Sequence, residues 1–208
     1  GASALRTAGR TARLRGESTH RRGRAGRTVT SPAMSYDDAP TGAAPATTDR
    51  DDGERPVDGD HPARAALDQL FRSDPHARSL GIELVDWGLG WSEVRVTPAA
   101  GHGNFLGTVH GGLLFSLADV ALSYAGNSWG RMSLALSMEV QYLKAAETGA
   151  ELRAVARCRS RSRRIASFAV DVTAAGETLI ASFQAINYRV DRWHLDESAW
   201  PDDWRARY

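Results

Sequence analysis

Apolar residues recur along this chain with two periods, and the changes between them mark out its elements. In HPARAALDQLFRS, residues 61–73, Ala65, Leu67, Leu70 and Phe71 gather on one side of a short helix. GIELVDW and WSEVRVTP alternate apolar with polar and are joined by Gly88-Leu89-Gly90, which reads as a β-hairpin. Residues 104–107 form a loop with glycines on both sides, and residues 112–127 form a helix. Then Met132, Leu134, Leu136, Met138, Val140 and Tyr142 occupy every second position, which predicts a strand with one buried face. ELRAVARCRS, IASFAVDVT and TLIASFQAINYRV follow. The breaks are Glu147-Thr148-Gly149, Arg161-Ser162-Arg163-Arg164 and Ala175-Gly176-Glu177. Connections this short imply antiparallel pairing. The pattern therefore predicts an α+β domain: five to six antiparallel strands, with one apolar helix between the second and the third.

That helix is unusual. Leu113, Leu114, Phe115, Leu117, Ala118, Val120, Ala121, Leu122, Tyr124 and Ala125 cover nearly its whole circumference. A helix apolar all round is a buried one, so the sheet is expected to curve strongly around it. From residue 111 to 130 the only charged side chain is Asp119. An ionised carboxylate buried there without a partner costs several kcal/mol or takes a raised pKa. Either Asp119 is a functional group, or it faces a solvent gap or pairs with an arginine. His110-Gly111-Gly112 leads directly into the same helix. Glycines let the backbone approach a ligand closely, and first-turn N–H groups can donate to an oxygen that gains negative charge. A histidine there is also compatible with a simple cap. His110 and Asp119 are nine positions apart. At 1.5 Å and 100° per residue that is half a turn around the helix and roughly 13 Å along it. If both act on one bond, they come from different chains, which predicts a two-fold dimer with equivalent sites across its interface.

Charge changes the picture mainly at the front of the chain. Residues 1–33 carry eight arginines and one glutamate, and residues 35–60 carry eight acids against Arg50 and Arg55. Both tracts are rich in small residues and proline and nearly lack aromatics, so 1–60 reads as a disordered tail, Arg-rich and then acidic. The opening faintly resembles a transit peptide, but a tail, or sequence translated ahead of a start at Met34, is the simpler reading. Residues 61–192 form the globular domain. Residues 193–208 hold Trp193, Trp200 and Trp204 among charges and are expected to pack or to form an interface. Net charge is +1, which gives no nucleic-acid signature, and no apolar run is long enough for a membrane span. Lys144 is the single lysine among 26 basic residues, a hint of a GC-rich bacterial genome. The single cysteine, Cys158, excludes an internal disulfide framework and fits a reducing cytoplasm.

Taken together, Asn104, then His110-Gly111-Gly112, then Leu117-Ala118-Asp119, then Ser123-Tyr124-Ala125, resemble the hotdog-fold acyl-CoA thioesterases of the phenylacetate-catabolism (PaaI-like) type. The resemblance covers roughly residues 65–190 and implies a curved antiparallel sheet wrapped around one central helix. It implies that Asp119 is the catalytic carboxylate, as general base for water or as nucleophile. It implies that Gly111 gives the N–H that polarises the thioester carbonyl and that His110 assists beside it. Asn104 would position water or the carboxylate, and Gly112 would allow close approach of the substrate. A serine on the strand after the helix is a further helper, Ser137 first and Ser133 second. Coenzyme A carries phosphates, and Arg161, Arg163 and Arg164 stand in a turn suited to them, or form a solvated turn only. The resemblance also implies an aryl or arylacetyl acyl group, no metal or cofactor, and a homo-oligomer: a dimer or a dimer of dimers.

Two other functions are carried alongside: an acyl-CoA sensor without catalysis, and a hydratase or dehydratase. Residues 1–60 show no helix-turn-helix pattern, and the spacing from His110 to Asp119 resembles the hydrolases. The G-x-S-x-G string at residues 126–130 follows a helix and precedes a strand, the wrong context for a nucleophile elbow. The glycines at 101, 103 and 107 are not at dinucleotide spacing, and the histidines show no metal-ligand spacing. The arginines of residues 6–27 lack interleaved aromatics and read as solvated rather than as a nucleic-acid surface.

Overall fold

The long alternating runs pair into one six-stranded antiparallel sheet in the computed structural model, which describes residues 61–174 and 178–208. The 1–60 tract and the turn at 175–177 lie outside the described residues. In chain order the strands are β1 (Glu83–Gly88), β2 (Trp91–Val96), β3 (Arg131–Tyr142), β4 (Leu152–Arg161), β5 (Ile165–Ala174) and β6 (Thr178–Trp193). Their order in the sheet is β1-β2-β4-β5-β6-β3, so β1 and β3 are the edges. Gly90 takes φ +77° in the β1–β2 turn, a left-handed value that suits glycine.

The apolar helix, α3 (Gly111–Asn127), touches every strand of the sheet. Leu117, Ala118, Ala121, Leu122 and Ala125 are fully buried. They form a stripe at three-to-four spacing, and each leucine contributes about 1.5–3 kcal/mol by leaving water. Burial does not extend all the way round, however. Ser116, Asp119, Ser123 and Asn127, also at three-to-four spacing, are only half-buried. The sheet closes over most of α3 and leaves this polar stripe only partly covered.

Two short helices precede the sheet: α1 (Arg64–Arg72) and α2 (Pro75–Ser79). The expected apolar side of α1 is corrected: Ala63, Leu67 and Phe71 are buried, whereas Ala65 and Leu70 are exposed. Positions 63, 67 and 71 lie one turn apart on a single face; Ala65 points away from it. The sequence reading missed α2. Asp74 caps it, its Oδ1 accepting the backbone N–H of His76 at 2.8 Å and of Ala77 at 3.2 Å, and Pro75 opens it.

The single buried face expected of β3 is also corrected. Ala135 lies opposite Asn187 and Ser137 opposite Ile186, so Leu136 is an extra residue, a β-bulge. Directly opposed residues share a face, and the bulge reverses the alternation. Met138 and Val140 follow Ala185 and Phe183 onto the helix side, while Leu134 follows Tyr188 onto the far side. Leu134 and Leu136 remain 62 % and 64 % exposed on this edge strand.

Beyond β6, residues 194–208 fold back onto the far end of α3 and finish in α4 (Asp202–Arg207). Trp200 is buried, and its Nε1–H donates to the His194 carbonyl at 2.7 Å. The Trp204 Nε1–H donates to the Trp129 carbonyl at 3.0 Å. The His61 ring meets the edges or faces of Trp87, Trp200 and Trp204, which closes an aromatic cluster over this end. Gly130 sits under Trp200 at φ +88°, where any side chain would run into the indole.

Candidate functional site

Two features of the sequence make the start of α3 an open backbone site. His110 is the N-cap, and its Nδ1 accepts the Gly112 N–H at 2.8 Å. The Leu113 N–H is taken by the His110 carbonyl at 3.0 Å. The Gly111 N–H is left without a partner among the described residues. It points out of the positive end of a 17-residue helix, which favours a partially negative oxygen. Tyr142, near the end of β3, lies over the same glycine and donates its hydroxyl to the Gly111 carbonyl at 3.1 Å. A Cβ on Gly111 would come within 3.2 Å of that ring, so a larger residue there would push the Tyr142 side chain aside.

The preceding loop is braced by its own groups. The Asn104 Oδ1 accepts the N–H groups of Leu106 at 2.9 Å and Thr108 at 3.2 Å, and its Nδ2 donates to Thr108 Oγ1 at 2.9 Å. The Asn104 side chain therefore shapes the loop. The loop presents Phe105, 96 % exposed, and Leu106 to solvent. The His110 N–H donates to the His102 carbonyl at 2.8 Å, which holds the loop's return against its start. Between this loop, α2 and the first turn of α3 lies a cavity of about 290 Å³ lined by His76, His102, His110, Gly112, Leu113 and Ser116, among others.

Asp119 lies eight residues past Gly111, about 12 Å further along the helix. One chain therefore does not bring the two together. The carboxylate is half-buried and makes no hydrogen bond or ion pair among the described residues. Burial holds its pKa above the ordinary carboxylate value; His76 pulls it back down and Asp74 adds to the rise. Among the described residues no arginine forms an ion pair with Asp119. Neither serine helper bonds to it. Because of the bulge, Ser137 lies opposite Ile186 on the far face. The buried Ser133 donates its backbone N–H to Asn127 Oδ1 at 2.8 Å.

The arginines of the β4–β5 turn stand at the other end of α3. Arg161 stacks on Trp129 and Tyr208 at 5.1 and 4.8 Å, Arg164 donates to the Tyr188 hydroxyl at 2.9 Å, and Arg163 is exposed. Within one chain they are about 24 Å from the Gly111 end. Ser128 of the G-x-S-x-G string is buried, and its Oγ donates to the Ala125 carbonyl at 2.7 Å while accepting the Gly90 N–H at 2.7 Å. Both bonds hold the fold together. Among the described residues no group of His, Cys, Asp and Glu is arranged to hold a metal. The sequence reading missed His76 and the role of Tyr142. An Asp-Pro helix start marks α2, but nothing local says that α2 will fold over α3.

The chain is similar in sequence and in fold to known proteins. Residues 106–181 match the thioesterase superfamily. A putative esterase of Archaeoglobus fulgidus is 31 % identical over 124 residues, 60 % of this chain and 80 % of that protein. The acyl-coenzyme A thioesterase PaaI of Escherichia coli is 28 % identical over 130 residues, 62 % of this chain and 93 % of that protein. The structure of the E. coli PaaI protein from the phenylacetic acid degradation operon superposes with a TM-score of 0.61 and 28 % identity. It covers 64 % of this chain and 96 % of its own.

Proposed function

This chain belongs to the PaaI-like hotdog enzymes of the thioesterase superfamily, and from that premise we propose that it hydrolyses an acyl-CoA thioester across a dimer interface. The observation that carries this reading is Asp119, a half-buried carboxylate with no partner among the described residues, on the same helix as the unpartnered Gly111 N–H. The two are too far apart to meet in one chain, so a second copy supplies the other half of each site.

The edge strand β3 is the surface for that second copy. Leu134 and Leu136 are exposed there, and Tyr142 is half-exposed beside Gly111. An exposed apolar edge is a template for pairing. In the assembled site the thioester carbonyl oxygen accepts the Gly111 N–H, with His110 beside it. The partner subunit's Asp119 takes a proton from water, and the oxygen of that water adds to the carbonyl carbon. The oxyanion is held at the helix N-terminus. Collapse breaks the C–S bond, and the departing thiolate takes the proton from Asp119, giving a carboxylic acid that ionises and coenzyme A. Thiolate is a good leaving group, so one base and one oxyanion donor suffice. Direct attack by Asp119 to form a mixed anhydride, then hydrolysed, uses the same groups.

The cavity lined by Leu113 and Ser116 is the slot for the acyl group, and the phenylacetate context of the E. coli relative favours an aryl or arylacetyl group. Arg163 and Arg164, far from Gly111 in their own chain, would meet CoA phosphates only in the dimer or a dimer of dimers. No helix of the described residues is long and apolar enough to cross a membrane, and a free Cys158 suits a cytoplasmic setting.

The test is thiol release from a panel of acyl-CoAs, for the parent and for Asp119→Asn. The expected loss in kcat is on the order of 10²–10⁴-fold, the usual contribution of a positioned base. Full activity in the variant removes Asp119 from the reaction. Tight acyl-CoA binding without release by the parent means a sensor instead.

A further inference from the structure

His110-Gly111-Gly112 carries two glycines, and each makes room for one ring. Tyr142 lies over Gly111, where a Cβ would stand 3.2 Å from its Cζ and 3.3 Å from its hydroxyl oxygen. His110 folds back over Gly112, where a Cβ would stand 3.0 Å from its Nδ1. The two rings hold the same peptide unit from opposite ends. Tyr142 donates its hydroxyl to the Gly111 carbonyl at 3.1 Å, and the Gly112 N–H donates to His110 Nδ1 at 2.8 Å. That carbonyl and that N–H belong to one planar trans peptide, so fixing the oxygen fixes the direction of the N–H. The constraint matters because a glycine flanks this peptide on each side, and glycine backbone turns more freely than any other. A hydroxyl bonded to the carbonyl also polarises the peptide and strengthens the bond that its N–H makes.

The consequence falls on the imidazole. Nδ1 accepts the Gly112 N–H, so in the neutral ring the proton sits on Nε2. Nε2 makes no hydrogen bond among the described residues. The His110 backbone is fixed separately, its N–H donating to the His102 carbonyl at 2.8 Å. His110 lines the cavity together with Leu113 and Ser116, and the open Gly111 N–H is its next neighbour in the chain. We propose that Tyr142 is a positioning residue of the hydrolytic site: through the Gly111–Gly112 peptide it holds His110 in the tautomer whose Nε2–H stands beside the Gly111 N–H as a second donor to the thioester oxygen. This rests on the reading of Gly111 as the donor to that oxygen. Tyr142 acts only through the peptide and the ring.

The experiment measures kcat and KM for the parent, Tyr142→Phe, His110→Asn and the double variant, using whichever acyl-CoA the parent turns over fastest in a panel from acetyl- to phenylacetyl-CoA. Phenylalanine keeps the ring over Gly111 and removes only the hydroxyl; asparagine keeps an N-cap acceptor and removes the imidazole. Tyr142 is half-exposed, so Tyr142→Phe is expected to melt with the parent. Tyr142→Phe is expected to lower kcat about three- to ten-fold, the size of one hydrogen bond, with KM unchanged. His110→Asn lowers kcat at least as much, and Tyr142→Phe adds no further loss in that background. Nitrogen NMR of protein labelled at histidine reads the ring directly, at about pH 8, where a free imidazole is neutral. The His110 signals are identified by their loss in His110→Asn. The parent is expected to show Nδ1 bare and Nε2 protonated, and Tyr142→Phe a mixture of both tautomers. Parent-level kcat in Tyr142→Phe or in His110→Asn, or a raised KM at unchanged kcat, would overturn the proposal. So would the same fold loss in both backgrounds, or His110 signals that do not respond to the lost hydroxyl. A parent that releases no thiol from any acyl-CoA would instead overturn the underlying reading of the site, and the His110 signals would still decide whether Tyr142 sets the ring.

Discussion

Asp119 is the one charge on a helix whose other side chains are apolar, small or neutral, and its surroundings make ionisation costly. Burial raises its pKa, so the ionised form is disfavoured in the fold relative to the unfolded chain. The penalty is fully present above the folded pKa and is relieved as pH falls through it. Asp119→Asn is therefore expected to raise Tm at pH 7 while lowering turnover sharply, and thermal melting at pH 7 and pH 4 should show the gain shrinking in acid. Activity runs the other way. It needs the ionised form, so kcat/KM of the parent should fall as pH drops through a value above the ordinary carboxylate range. A base that is expensive to keep is what a reacting group looks like in such a helix. Gly111 shows the same logic in the backbone, with an N–H left open and Tyr142 packed where a side chain would be.

Elements hold these groups at fixed separations. α1 is anchored by Leu67 and Phe71, and Phe71 stacks on Tyr124 of α3 with ring centroids 4.9 Å apart. That contact positions α2 and with it His76. Leu67→Ala is expected to cost about 2–5 kcal/mol in denaturant unfolding, the range for a fully buried leucine. The segment after β6 is as integral as the helices. Trp200→Ala should cost about 3–5 kcal/mol by the same measurement, since Trp200 fills the space over Gly130 and joins the cluster around His61. At the same end, burial beside Arg161 and Arg131 pushes the Arg189 guanidinium down to about 10. It is held by the carbonyl of Ser162 at 2.7 Å and the backbone oxygen of Tyr208 at 2.5 Å. Arg161 is likewise engaged by aromatic rings and Arg164 by the Tyr188 hydroxyl, which leaves Arg163 without a hydrogen bond or ring contact among the described residues.

For the whole molecule, the proposed reaction needs two copies. An isolated chain separates Gly111 from Asp119 and leaves β3 with an open hydrogen-bonding edge and exposed leucines. Leu134→Lys is expected to convert the proposed dimer into monomer in sedimentation and to lower kcat by the same order as Asp119→Asn, although it touches neither group. Retained activity in a proven monomer would contradict the shared site. Phe105 and Leu106, presented by a loop that satisfies its own hydrogen bonds, are a further apolar surface expected to be covered in the proposed assembly.

Local chemistry in the sequence determined a good deal. The period of two foretold the strands, a helix apolar on nearly every side foretold a wrapping sheet, and one carboxylate among apolar residues together with His110-Gly111-Gly112 marked the proposed site. These signals are readable because each is a property of neighbours in the chain. The tertiary structure decided what depends on distant contacts. A single bulge at Leu136 sent Leu134 and Met138 to opposite faces, which no alternation count reveals, because the extra residue exists only relative to β6. The half-buried stripe on α3 exists because the sheet covers one side of the helix only in part. His76 came to lie against the cavity because Phe71 and Tyr124 bring α1 and α2 onto α3, a contact made 53 residues apart. Sequence spacing specifies periodicity; only packing specifies which periodic faces meet.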